Sequence, residues 1–126
     1  MGIIKVAIAD DHKIFRKGAI LSLRAFSNIK FVQEAENGDE LISGLPASEP
    51  DVVLMDLRMP GKDGIEATKI ISKQFPQKKV LILSMYEEER FVHHLMENGA
   101  NGYLLKNAEP NEIRRAIMEV YEKGYY

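Results

Sequence analysis

The sequence predicts an α/β domain: a parallel five-stranded sheet with helices on both faces. Three observations predict it. Five short apolar runs rich in β-branched residues alternate with stretches of helical periodicity. The connections between them are only a few residues long, as crossovers in such sheets are. The central run, Val52-Val53-Leu54-Met55, passes without polar interruption into Asp56, which is the pattern of a strand covered on both sides.

Ile3 to Ala9 forms the first strand and ends at Asp10-Asp11. A helix follows, with Ile14, Gly18, Leu21 and Ala25 expected on its apolar stripe and Phe15, Ala19 and Phe26 beside it. Ile29 to Ala35 reads as the second strand, Gly38 to Leu45 as a short helix, and Pro46 to Pro50 as a loop. After the central strand, Pro60 and Gly61 turn the chain, and Gly64 reads as a further turn residue. Ala67, Ile70, Ile71 and Phe75 mark the third helix, closed by Pro76. Lys79 to Ser84 is the fourth strand. Glu88 to Asn98 is the fourth helix, with Gly99 as its C-cap. Gly102 to Lys106 is a short fifth strand. Ile113, Ala116, Ile117, Val120 and Tyr121 define the last helix, which ends at Gly124.

Length and composition exclude several classes of function. At 126 residues, with 45% apolar and 29% charged residues, the chain is one ordinary globular domain. No apolar run approaches the ~20 residues of a membrane helix, and no secretion leader is visible. The absence of cysteine excludes disulfides and thiolate metal sites and fits a reducing cytoplasm. A net charge of −2 supplies no general attraction to nucleic acid or anionic lipid.

The chemistry gathers at the strand ends. Strand one ends at Asp10-Asp11, strand three at Asp56, strand four at Ser84 and strand five at Lys106. In a parallel sheet these ends share one edge. Carboxylates a few ångströms apart repel by roughly 3 kcal/mol per pair at an effective dielectric near 20. Such a trio requires a retained proton or a bound cation. An all-oxygen site of this kind suits Mg²⁺. A lysine ammonium and a hydroxyl at the rim would complement a phosphoryl group carried by one of the acids.

The pieces Ala9-Asp10-Asp11-His12, Met55-Asp56-Leu57-Arg58-Met59-Pro60-Gly61-Lys62-Asp63-Gly64, Leu83-Ser84-Met85-Tyr86 and Gly102-Tyr103-Leu104-Leu105-Lys106-Asn107 carry a resemblance. In that order and spacing the chain resembles the receiver domain of a two-component response regulator, of the LuxR/NarL type, over essentially all 126 residues. The resemblance implies a flavodoxin-like (βα)5 sandwich with strand order 2-1-3-4-5. It implies that Asp56 accepts a phosphoryl group from a sensor histidine kinase. Asp10 and Asp11, with Asp56 and the backbone carbonyl of Arg58, would hold Mg²⁺. Ser84 and Lys106 would contact phosphoryl oxygens, and Tyr103 would report the state of Ser84. The face formed by helix four, strand five and helix five would then switch, promoting self-association or releasing an output domain. DNA would be reached only through a C-terminal helix-turn-helix domain absent from these residues, and the expected location is the cytoplasm. A receiver cut from a longer chain is favoured over a stand-alone regulator.

Plainer readings compete for the same residues. Asp10 and Asp11 can simply cap the first helix, and Ser84 with Glu87 can form a capping box. Lys106 can be an ordinary exposed lysine and Tyr103 a core aromatic. His12 reads as a local hydrogen-bonder, and His12, His93 and His94 as non-catalytic. Arg114, Arg115 and Lys123 read as a solvated face. A haloacid-dehalogenase-like phosphatase would need a second acid where Arg58 stands. A flavin binder would want glycine in the loop Asp10-Asp11-His12-Lys13, which has none. Asn107 stands where many receivers have proline, which argues against a cis bond after Lys106.

Overall fold

The computed structural model describes residues 2–57, 59, 63–85 and 89–126, without the side chains of 89–91. Ten elements alternate: β1 (Ile4–Ala9), α1 (Lys13–Leu23), β2 (Ile29–Ala35), α2 (Gly38–Ser48), β3 (Val52–Asp56), α3 (Gly64–Gln74), β4 (Lys79–Ser84), α4 (Glu89–Glu97), β5 (Gly102–Leu105) and α5 (Pro110–Lys123). The sheet is parallel throughout, in the order β2-β1-β3-β4-β5. Every residue of β3 is buried, as its uninterrupted apolar run requires. The order reverses between β1 and β3, so the loops after those strands flank a crevice at the carboxyl edge.

Alternate strand residues divide two cores, because successive side chains point to opposite faces of the sheet. Ala7, Val53, Met55 and Ile82 meet Leu41 and Leu45 of α2, Ala67 and Ile71 of α3 and Leu95 of α4. Val6, Leu54, Leu81 and Leu83 meet Leu23 of α1 and Ile113, Ala116 and Ile117 of α5. Helix ends carry the expected devices. Asn37 accepts a hydrogen bond from the Glu40 amide, and Asp63 from that of Glu66. Pro110 opens α5 and Gly124 closes it at φ 89°. Gly99 adopts φ 103° just past α4.

Four local expectations need correction. On α1 the stripe Ile14, Gly18, Leu21 and Ala25 faces outward, with Ile14 90% exposed. Phe15, Ala19, Leu23 and Phe26 face the sheet instead, since α1 is apolar on two sides and only one meets the core. Helix α2 continues through Pro46 to Ser48, with Glu49 left-handed at its C-cap. A proline in the last turn gives up a single helical hydrogen bond, and the helix survives it. Gly64 is no turn residue but the first of α3: a Cβ there would lie 2.5 Å from the Asp56 carbonyl oxygen. Arg114 is half-buried, reaching Asn28 Oδ1 at 3.3 Å and covering the Phe26 ring.

Candidate functional site

The carboxyl edge brings the predicted acids together. Ligand atoms of Asp10, Asp11, His12 and Asp56 all lie within 4.8 Å of one another. Asp10 follows β1, and its amide is held by the Ala35 carbonyl of β2 at 3.1 Å. Asp56 ends β3; the Gly64 amide donates to the Leu57 carbonyl just beyond it at 3.0 Å, and the missing side chain of Gly64 lets α3 approach the Asp56 backbone. Both carboxylates are buried, at 1% and 4% exposure, while Asp11 lies at the rim. Neither acid of the pair caps α1. The N-cap is His12, and Asp10 Oδ1 accepts from the His12 amide at 2.8 Å.

Lys106 is not an ordinary surface lysine. Its side chain is 7% exposed, and Nζ lies 2.8 Å from Asp10 Oδ2 and 3.2 Å from Asp56 Oδ1. The Phe15 ring lies beneath the ammonium, with its centroid 4.6 Å away. The Lys106 amide is fixed by the Ser84 carbonyl at 2.8 Å, which couples the ends of β4 and β5. Among the described residues there is no cis peptide bond, so Asn107 follows Lys106 in trans. Ser84 is buried at the end of β4. Tyr103, half-buried, pairs in register with Ile82, two residues before Ser84 on the same face of the sheet. Arg58, named for its carbonyl, and Glu87, named for the capping box, lie outside the described residues.

One ammonium cannot neutralise three acids. Burial and the neighbouring Asp10 push the Asp56 carboxyl up to about 6, and Lys106 offsets only part of this. Asp56 Oδ2 is buried with no hydrogen bond among the described residues. Asp10 Oδ2, close as it is to the ammonium, also lacks hydrogen-bonding geometry. Two buried anionic oxygens without donors are a donor set for a hard cation.

Sequence reasoning missed Arg16. It is 4% exposed on α1 and donates to the Asp10 carbonyl at 2.5 Å and to Glu34 Oε2 at 2.6 Å. Arg16, with Lys17, holds the Glu34 carboxyl below its usual range. No local signal marks Arg16, since Glu34 lies on the next strand. His12 is the local hydrogen-bonder expected of it, yet its ring also faces all three acids. A cavity of about 440 Å³ opens beside it, lined by His12, Phe15, Met85, Leu105, Lys106 and Asn107.

The family model for the response regulator receiver domain matches residues 6–118. The chain belongs to the response regulator receiver family. This receiver domain is 40% identical over 124 residues to the oxygen regulatory protein NreC of Staphylococcus haemolyticus, covering 98% of the chain and 57% of NreC. The chain thus spans little more than half the length of that relative. A two-component response regulator of the LuxR family from Aurantimonas superposes with a TM-score of 0.92 at 31% identity, covering 98% of this chain and 88% of that one. The isolated receiver of RcsB from Salmonella enterica, solved with the phosphomimetic BeF3⁻, superposes at 0.88 and 31% identity, over 98% of this chain and 91% of that one. The LuxR/NarL resemblance and the strand order 2-1-3-4-5 are both borne out. The receiver is a signalling domain, and no helix among the described residues is long and apolar enough to cross a membrane.

Proposed function

We propose that this receiver accepts a phosphoryl group on Asp56 from a sensor histidine kinase, in a reaction that requires Mg²⁺. The carrying observation is the state of Asp56: one oxygen rests against Lys106, and the other is buried without a donor beside two further acids. The trio carries three negative charges against one ammonium, a deficit that a divalent cation fits. Asp10, Asp11 and Asp56 would hold it, with the Arg58 carbonyl as the remaining protein ligand. When bound, Mg²⁺ neutralises charge on the transferring phosphoryl oxygens.

The chain's own groups do the rest. An Asp56 oxygen forms the new O–P bond as the N–P bond of the phosphohistidine breaks, and the departing imidazole keeps the electron pair. Lys106, already 3.2 Å from Asp56 Oδ1, donates to a phosphoryl oxygen. Ser84 supplies a second donor from the end of β4. Tyr103, on the same face, follows Ser84, so the α4–β5–α5 face changes shape. That face would then control self-association and a DNA-binding output domain.

Acetyl phosphate with Mg²⁺ tests this. Intact mass should show one added phosphoryl group on the wild type and none on Asp56→Asn or without the metal. Labelling that persists in Asp56→Asn would reject the assignment.

A further inference from the structure

We propose that the same edge is also a closed site for a nitrogen-accepting divalent transition ion, with the His12 imidazole as fourth ligand beside Asp10, Asp11 and Asp56. Its regulatory consequence, a state that refuses phosphoryl groups, rests on the function proposed above. The binding itself does not.

Distances carry the proposal. His12 Nδ1 lies 3.2 Å from Asp10 Oδ1, 3.5 Å from Asp11 Oδ1 and 3.8 Å from Asp56 Oδ2. Four ligands at the Zn²⁺ distances of ~2.0–2.2 Å in a tetrahedron stand about 3.4 Å apart. The imidazole therefore already sits at ligand spacing from all three acids. Asp56 Oδ2 is an independent pointer: its side chain is 5% exposed, and that oxygen has no hydrogen bond among the described residues. The backbone of His12 is fixed at both ends. Its amide binds Asp10 Oδ1, and its carbonyl accepts from the Arg16 amide at 2.9 Å.

Ligand type then separates two kinds of ion. Mg²⁺ takes oxygen and keeps several waters, so it has no use for the imidazole and leaves room for a phosphoryl oxygen. Zn²⁺ accepts imidazole nitrogen, and three carboxylates with one imidazole complete its four-coordinate shell. A shell completed by protein atoms has no open position, and it occupies an oxygen of Asp56. Lys106 Nζ lies 3.2 Å from the same Nδ1, so the ammonium and the ion compete for one lone pair. The ion that uses His12 thus competes with the charge partner and leaves no coordination position for an incoming phosphoryl oxygen.

The metal-free protein is titrated with Zn²⁺ by calorimetry, and the tetrahedral geometry is read from the visible spectrum of Co²⁺. Wild type should bind one equivalent. His12→Gln should weaken Zn²⁺ at least about tenfold and lose the tetrahedral Co²⁺ bands, while its Mg²⁺ affinity stays within twofold. A double variant, His93→Gln with His94→Gln, removes the exposed α4 imidazoles and should leave the tight equivalent in place. Equal Zn²⁺ affinity in wild type and His12→Gln overturns the proposal, as does loss of binding in the α4 double variant. With acetyl phosphate and Mg²⁺ present, Zn²⁺ should block labelling of wild type and spare His12→Gln. Absence of labelling under every condition would reject phosphoryl acceptance and leave the calorimetric result to decide the ion site by itself.

Discussion

At the scale of single residues, Asp56 is held in a conflict that its fold maintains. Its carboxyl titrates near 6 because burial and Asp10 oppose its charge more than Lys106 supports it. The folded state thus keeps this proton to higher pH than an unfolded aspartate does. The stability tied to that proton is fully present below the unfolded value near 3.8 and is lost as pH rises through 6. A rise from 3.8 to about 6 corresponds to about 3 kcal/mol, and losing the Lys106 pairing in a variant returns part of that. Asp56→Asn should therefore stabilise the metal-free protein by about 1–2 kcal/mol at pH 8, a rise of a few degrees in Tm. The gain should shrink toward pH 4. Calorimetric melting at both pH values, in chelator, checks this. A variant that melts at or below wild type at pH 8 would mean the acids do not strain the fold. The residues in that conflict were legible from the strand-end positions of Asp10, Asp11, Asp56 and Lys106 alone. His12 was not, because a lone histidine after two acids has no periodicity to say which way its ring turns.

At the scale of elements, the strands were readable because burial on both faces leaves a continuous apolar run, and β3 is buried at every position. Helix α1 shows where such reading stops. Ile14 and Leu21 are as apolar as Phe15 and Leu23, and only the packed sheet decides between the two stripes. The face that won also buries Arg16, a residue that hydrophobic patterning assigns to solvent. Arg16 joins three elements: it sits on α1, clamps the Asp10 carbonyl after β1 and pairs with Glu34 on β2. Arg16→Met should leave Glu34 without its main partner and the Asp10 carbonyl without a donor, costing about 2–4 kcal/mol at pH 7. Glu34 is held ionised by Arg16, so that partnership stabilises the fold at neutral pH and fades as acid protonates Glu34. The deficit of Arg16→Met should accordingly narrow below about pH 4. Urea unfolding at pH 7 and pH 3.5 measures both, and a deficit equal at the two values would show that packing, not charge, is what Arg16 supplies.

At the scale of the whole molecule, the site lies at one end of the sheet and its consequences must travel along one face. β5 is the shortest strand, with only four residues; Tyr103 lies within it and Lys106 follows it directly. The Lys106 amide is bonded to the Ser84 carbonyl, so a shift at β4 is passed to β5 through the backbone. Tyr103 rests on the core shared with Leu95 of α4, so under the proposed switch it is the contact through which β5 would move the α4 surface. Loaded with beryllofluoride and Mg²⁺, wild type should sediment as a dimer at concentrations where the untreated protein is monomeric. Tyr103→Ala should still take a phosphoryl group from acetyl phosphate within about twofold of wild type, because the proposed role of the ring is to relay the state of Ser84 and not to hold the metal or the phosphoryl group. Yet it should remain monomeric when loaded. The outward stripe of α1 supplies the control, since Ile14 and Leu21 form a second apolar surface on the other side of the sheet. If Ile14→Glu abolishes the loaded dimer while Tyr103→Ala preserves it, the association surface is α1, and the path through Ser84 and Tyr103 has no part in it.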